Sequence, residues 1–297
     1  MSQSVELISG DSRALISIEG QALIGLRLDG VEIMPDSKSA QAFFAGAVLA
    51  PWPNRIRGGK YSFDSRDFQL EGNDGLGNAL HGLIFDKAAS VTQQDQHSVS
   101  LKTTLPPSPQ YPGHLEIQTT YSLDSDGLKV THSAKNIGET HAPLGLGAHP
   151  YFAVPEGASL LVNAGLVAKR EHDMIPEIYE GIESLGLTVG SATQISALKL
   201  DNEFTDLVFQ DGVAQTQVLD SNGKGFSVWQ EAAEYLMIYT CEEFPFDSGV
   251  APAIAIEPQS CGANAFNNGR GLKLLGPGEE FGFRWGVHLV SGDEGNL

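Results

Sequence analysis

The chain has 297 residues, 37 of them acidic and 18 basic, for a formal charge of −19. A surface this negative repels phosphate backbones, which argues against nucleic-acid binding and disfavours anionic substrates. Hydrophobic residues at 41% can build a substantial core, two cysteines (Cys241 and Cys261) are too few for a disulfide framework, and no apolar run approaches the roughly 20 residues of a membrane helix. The first twenty residues lack a basic start followed by an apolar stretch, so the expectation is a soluble cytoplasmic protein.

Strand patterns dominate the chain. Residues 5–8 and 14–18 read as opening strands, and residues 39–46 as a turn or two of helix. Arg57-Gly58-Gly59-Lys60 reads as a hairpin turn ahead of a strand from Tyr61. Residues 114–123 place Leu115, Ile117, Thr119, Tyr121 and Leu123 on one face. Asp124-Ser125-Asp126-Gly127 then supplies turn chemistry, and Leu128, Val130, His132 and Ala134 resume the two-residue period. That pattern predicts an antiparallel hairpin with one buried face.

A second hairpin runs over 215–219, turns at Asp220-Ser221-Asn222-Gly223 and returns through 226–229. Residues 235–240, 251–256 and 283–290 read as buried strands, and 263–268 as one more helical turn. Glycines and prolines punctuate the whole chain, as many short strands require. No charge block, low-complexity tract or linker interrupts it. The expectation is one all-β domain over residues 1–297, built of packed antiparallel sheets with room for a ligand groove across a concave face. Pattern alone leaves a division near residue 140 open.

Three polar islands carry the chemistry. His149 lies in Gly147-Ala148-His149-Pro150-Tyr151-Phe152, where Pro150 removes a ladder hydrogen bond and the strand ends or bends. A histidine there can give and take a proton at neutral pH, or serve as a satisfied core residue. Glu257 follows the apolar run 251–256 and precedes Pro258. At that strand end it either points into water or, partly desolvated, becomes a stronger base than an exposed carboxylate. Arg55 can donate to hydroxyls through its planar fork, whereas Arg57 and Lys60 sit at the turn and read as solvated. His81, between Leu80 and Gly82, repeats the ambiguity of His149. Asp201 reads equally well as a hydroxyl acceptor or a turn residue. His132 falls on an apolar face and reads as core, and the remaining histidines sit in polar or terminal settings.

Read in order, these islands are similar to signatures of the aldose 1-epimerase (galactose mutarotase) family. They are Ala50-Pro51-Trp52-Pro53-Asn54-Arg55-Ile56, Leu80-His81-Gly82, His149-Pro150-Tyr151-Phe152, Leu200-Asp201 with Phe204-Thr205-Asp206, and Glu257-Pro258. Any one is weak; their ordered combination over about residues 23–290 is specific. The resemblance implies a large antiparallel β-sandwich, the galactose mutarotase-like supersandwich, with a sugar in an open groove. It implies an isomerase that exchanges the anomers of a free aldose, with Glu257 as general base and His149 as general acid. Arg55, His81, Asp201 and Tyr151 would bind the sugar, and no cofactor or metal is implied. Two departures stand out: Gln259-Ser260-Cys261-Gly262-Ala263-Asn264 stands where relatives often carry a more proline-rich, aspartate-bearing segment, and the stretch after Gly82 lacks an expected tryptophan. A glycoside hydrolase or a non-catalytic carbohydrate-binding protein would use some of the same groups. The preferred aldose and the oligomeric state are not encoded in these motifs.

Overall fold

In the computed structural model, residues 3–169 and 171–292 are described. Met1 and Ser2, at the start of the segment read for a leader, lie outside them. Two large antiparallel sheets organise the chain. One has nine strands, and the hairpin Leu115–Asp124 with Gly127–Asn136 lies near its middle, next to Glu280–Val290. The other is built on the long pair Tyr235–Phe246 and Gly249–Gln259. It is flanked by Asp201–Leu207 on one side and by Gly147–Ala148 and Tyr151–Ala153 on the other. A four-stranded sheet, from Ser4–Ser9 to Val31–Met34, packs alongside. Strands from both halves of the chain share the nine-stranded sheet. Among the described residues no helix is long and apolar enough to cross a membrane.

The predicted hairpins form in the expected register. Leu115, Ile117, Thr119, Tyr121 and Leu123 are all buried while their neighbours are half-exposed, which is the period-2 signature of a sheet with one wet face. Asp124 pairs with Gly127 across the turn, where Gly127 has φ +118 and a Cβ would fall 2.2 Å from the Val287 carbonyl. Ala214–Leu219 and Gly225–Glu231 make the second hairpin. The helical stretches are as short as expected, a 3-10 turn at Gln41–Phe43 and one α-turn at Ala265–Asn268. Cys241 and Cys261 are both buried free thiols.

Two local expectations are corrected. Arg57–Gly59 is a 3-10 turn rather than a hairpin turn; the hairpin lies one step later, Lys60–Phe63 against Arg66–Gln69, and reverses at Asp64 and Ser65. Both reversing residues have positive φ, a conformation that aspartate tolerates and that the more obvious double glycine concealed. Glu257 does not end its strand. The ladder continues through Pro258, opposite Leu236, to Gln259, opposite Tyr235, so the carboxylate is set inside a sheet.

Strand alternation separates the two faces of the second sheet. Phe204, Ile238, Ile254, Ile256 and Phe152 turn towards the core, where the Phe152 and Phe226 rings meet at 4.9 Å and join the two large sheets. The opposite face presents Asp201, Glu203, Met237, Tyr239, Glu257 and Tyr151. Burial of the first face supplies the stability that holds the second in place.

His132 is the core histidine its position predicts. Trp285 Nε1–H donates to its Nε2 at 2.8 Å, so Nδ1 carries the hydrogen, 2.9 Å from Thr119 Oγ1. Burial holds its pKa down at about 3. The unfolded chain therefore takes up this proton first, below about pH 6.5, so the contribution is complete above that value and is lost as pH falls towards 3. His132→Leu leaves the Trp285 N–H and the Thr119 hydroxyl without their partner and should cost about 3 kcal/mol at neutral pH. It should also reduce the loss of stability between pH 7 and 5. Urea unfolding at the two pH values measures both effects.

Candidate active site

The cross-strand register lines up the groups of the outer face. Glu203, Met237 and Glu257 form one row across three strands, and Asp201, Tyr239, Ala255 and Tyr151 form the next. His149 reaches this face from the segment between Gly147–Ala148 and Tyr151–Ala153. Its backbone N–H donates to the Ala47 carbonyl at 3.1 Å, and its carbonyl accepts the Gly46 N–H at 2.8 Å. Pro150 interrupts the ladder here, as expected, and frees the chain to turn the imidazole over the sheet. The ring stacks on Tyr151 with centroids 4.9 Å apart, and Phe244 backs Tyr151 at 4.2 Å.

His149 Nε2 stands 3.3 Å from Glu257 Oε1. The second carboxylate oxygen accepts a hydrogen bond from Gln259 Nε2 at 3.1 Å. Both partners are nearly sealed from solvent, with exposures of 5% for His149 and 1% for Glu257. Burial pushes the Glu257 carboxyl well above the ordinary range, and the nearby Asp201 charge pushes it further. Burial pulls His149 down to about 3. The two shifts oppose ionisation of either group, so the pair behaves as one site that carries a single proton over the neutral range.

His81 completes the cluster, with its ring 5.0 Å from that of His149 at a steep angle and 4.8 Å from Phe44. It has φ +65, and Gly82 beside it is packed so closely that a Cβ would lie 2.2 Å from the Ala50 carbonyl oxygen. A reciprocal clasp fixes the ring: His81 N–H donates to the Asn54 carbonyl at 2.9 Å, and Asn54 N–H donates to His81 Nδ1 at 3.2 Å. Burial, with His149 and Arg55 adding to it, keeps His81 neutral. With Nδ1 accepting, Nε2 carries the hydrogen and serves as a donor.

One ligand atom from each of His81, His149 and Glu257 lies within 4.8 Å of the others, a spacing a metal ion could bridge. The Asn54 contact works against that use, since it occupies the Nδ1 lone pair and leaves Nε2 protonated.

Arg55 enters through a short pairing with Leu80, and its Nε donates to Asp74 Oδ2 at 3.1 Å. Asp74 is an anchor that motif reading missed. Its side chain is completely buried, and it accepts from the backbone of Leu76 and Asn78 and from the Asn78 side chain. Arg57, read as solvated, is exposed and pairs with Asp173 and Glu177.

Arg55, His81, His149, Tyr151, Asp201 and Glu257 all line one pocket of about 250 Å³. Sequence reasoning did not single out Phe44, Met237 or Tyr239, which line it as well. The last two became legible only through pairing, Met237 opposite Glu257 and Tyr239 opposite Asp201. Tyr151 forms wall beneath His149, only 3% exposed.

The model of the family described as aldose 1-epimerase matches residues 3–287. The chain belongs to the aldose 1-epimerase family. It is 32% identical to the Escherichia coli protein YihR, described as uncharacterized, over 93% of this chain and 90% of that one. Pig galactose mutarotase is 32% identical over a shorter stretch, 37% of this chain and 32% of the relative. Among solved structures, a GalM/aldose epimerase homologue from C. elegans superposes with a TM-score of 0.82 at 18% identity, covering 98% of this chain and 99% of that chain. A galactose 1-epimerase from Lactobacillus acidophilus gives 0.78 at 20% identity, with 97% and 94% covered. These likenesses establish the aldose epimerase fold.

Asp74→Ala should loosen Arg55 and the 73–78 turn without touching the His149–Glu257 pair. Loss of the charge-assisted hydrogen bond to Arg55 is expected to cost about 2 kcal/mol of stability, as urea unfolding would record.

Proposed function

We propose that this protein is an aldose 1-epimerase, a mutarotase that interconverts the α and β anomers of a free aldose. The observation that carries the reading is the 3.3 Å contact between His149 Nε2 and Glu257 Oε1, facing a pocket that Arg55, His81 and Asp201 also line.

The chemistry needs two proton transfers at one hemiacetal. Glu257 takes the proton of the O1 hydroxyl while His149, protonated, delivers one to the ring oxygen. The C1–O5 bond breaks and C1 becomes an aldehyde. Rotation about C1–C2 presents its other face, and reversal of both transfers closes the opposite anomer. Ring opening moves the proton of the pair from His149 to Glu257, so the total held by the two residues does not change. The desolvated pocket favours the neutral form of each group, which is the form reached when the ring is open.

His81, with Nε2–H available, donates a hydrogen bond to the reacting oxygens, and Arg55 and Asp201 hold the remaining hydroxyls. Glycoside cleavage uses two carboxyl groups as its working pair. Here the acid–base partner in contact with Glu257 is an imidazole.

Freshly dissolved α-D-glucose or α-D-galactose should approach its equilibrium rotation faster with the protein than without it. Glu257→Gln and His149→Ala should each reduce that acceleration by about 10²–10⁴ while the fold persists. Near-normal rates in either variant would remove the assigned pair, and release of reducing sugar from glycosides would replace the reading with hydrolysis.

The pH dependence of kcat/KM should be broad. Activity is lost on the acid side only when the pair takes a second proton, and burial of His149 puts that step well below the ordinary histidine range. On the alkaline side it is lost when the pair gives up its single proton, above the ordinary carboxyl range because Glu257 is buried. An acid limb centred near pH 6.5, the value of an exposed histidine, would contradict this assignment.

A further inference from the structure

Glu203 is a buried carboxyl group that the proposed chemistry does not use. It stands in the same row as Glu257, with Met237 on the strand between them. Only 2% of it is exposed. A carboxylate there is costly unless its oxygens are hydrogen-bonded, and both are. Oε1 accepts the Tyr179 hydroxyl, and Oε2 accepts the Ala263 N–H at 2.6 Å. The turn packs closely on it, since a Cβ at Gly262 would lie 2.9 Å from Glu203 Oε1.

Two arms lead from Glu203 to the segment 55–57. The first runs through the residue after Ala263. Asn264 donates its N–H to the Arg55 carbonyl at 2.7 Å, and its side-chain oxygen accepts the Arg57 N–H at 3.1 Å. Asn264 has φ +59, a left-handed conformation that asparagine tolerates.

The second arm runs through Tyr179 to the loop before it. Arg270 lies over the Tyr179 ring at 4.8 Å and donates to the Pro176 and Glu177 carbonyls. In the same loop, Asp173 and Glu177 hold the Arg57 side chain at 2.9 and 2.8 Å. One arm thus grips Arg57 by its backbone and the other by its guanidinium.

These contacts matter because the Arg55–Ile56 ladder is short, pairing only with Ala79 and Leu80. Asp74 fixes the Arg55 guanidinium, whereas Asn264 fixes the backbone from which that side chain starts.

We propose that Glu203 is a positioning residue for sugar binding, which anchors the 263–264 turn and through it places Arg55 at the pocket. The inference rests on the epimerase reading, in which Arg55 holds hydroxyls of the sugar. Glu203 touches no reacting atom. Its loss changes how the sugar is held and leaves Glu257, carried by its own ladder, beside His149.

Anomer exchange of α-D-glucose or α-D-galactose, followed by polarimetry over a range of concentrations, separates KM from kcat. Glu203→Ala should raise KM about tenfold and keep kcat within about threefold. Glu203→Gln retains an oxygen for the Ala263 N–H and an amide that can donate to the Tyr179 hydroxyl, so KM should stay within about twofold. A merely structural role would instead reduce the folded fraction, which lowers the apparent kcat and does not move KM. Asn264→Gly tests the same arm should Glu203→Ala fail to fold. It keeps the positive φ and the N–H to Arg55, removes the acceptor for Arg57, and should raise KM about threefold.

A loss of kcat at unchanged KM, or equal damage from Glu203→Ala and Glu203→Gln, overturns the positioning role and leaves the epimerase reading standing. If the native chain exchanges no aldose, the epimerase reading falls and takes this assignment with it.

Discussion

A carboxyl and an imidazole removed from water together, 3.3 Å apart, are the constraint on which the site depends. Either group alone would be costly to bury in its charged form. Together, with burial opposing ionisation of both, they hold one proton between them at no net charge. The long antiparallel ladder of Tyr235–Phe246 with Gly249–Gln259 keeps Glu257 in place, because its opposite face is locked into the apolar core. Gln259, two residues along the same strand, steadies the free carboxylate oxygen.

The rest of the site is arranged around that pair by interactions between backbone and side chain. Asn54 and His81 both adopt positive φ and clasp one another, which sets the imidazole as a donor. Asp74 gathers a turn and Arg55 with one buried carboxylate. Glu203 does similar work behind the site. It is buried, accepts from Tyr179 and from the Ala263 N–H, and so ties the segment that follows Glu257 to the sheet. Burial raises its pKa, while those hydrogen bonds and Arg270 favour its charged form. Preorganisation of this kind limits the motion of the polar groups that face the pocket.

Much of this was legible in the chain itself. The period-2 runs over 114–134 and 215–229 specify hairpins because one face must be dry and the other wet, and a one-residue slip would exchange them. The ordered islands around Arg55, His81, His149, Asp201 and Glu257 marked groups that the fold does bring to one pocket. Glycine pairs were misleading at Arg57–Gly59, because a turn signal says that a chain bends without saying which residue reverses it. Asp74 was invisible for a related reason: Asn73-Asp74-Gly75 looks like any surface turn until its carboxylate is found buried beneath Arg55.

The amino-acid sequence by itself determined an all-β chain, its hairpins and the residue types able to run acid–base chemistry, since alternation and side-chain chemistry are local properties. Tertiary structure alone decided that Glu257 lies within a ladder, that Met237 and Tyr239 share its face, and that His149 reaches its carboxylate. Those facts follow from register between strands distant in sequence, and from desolvation that exists only once the sheets have packed.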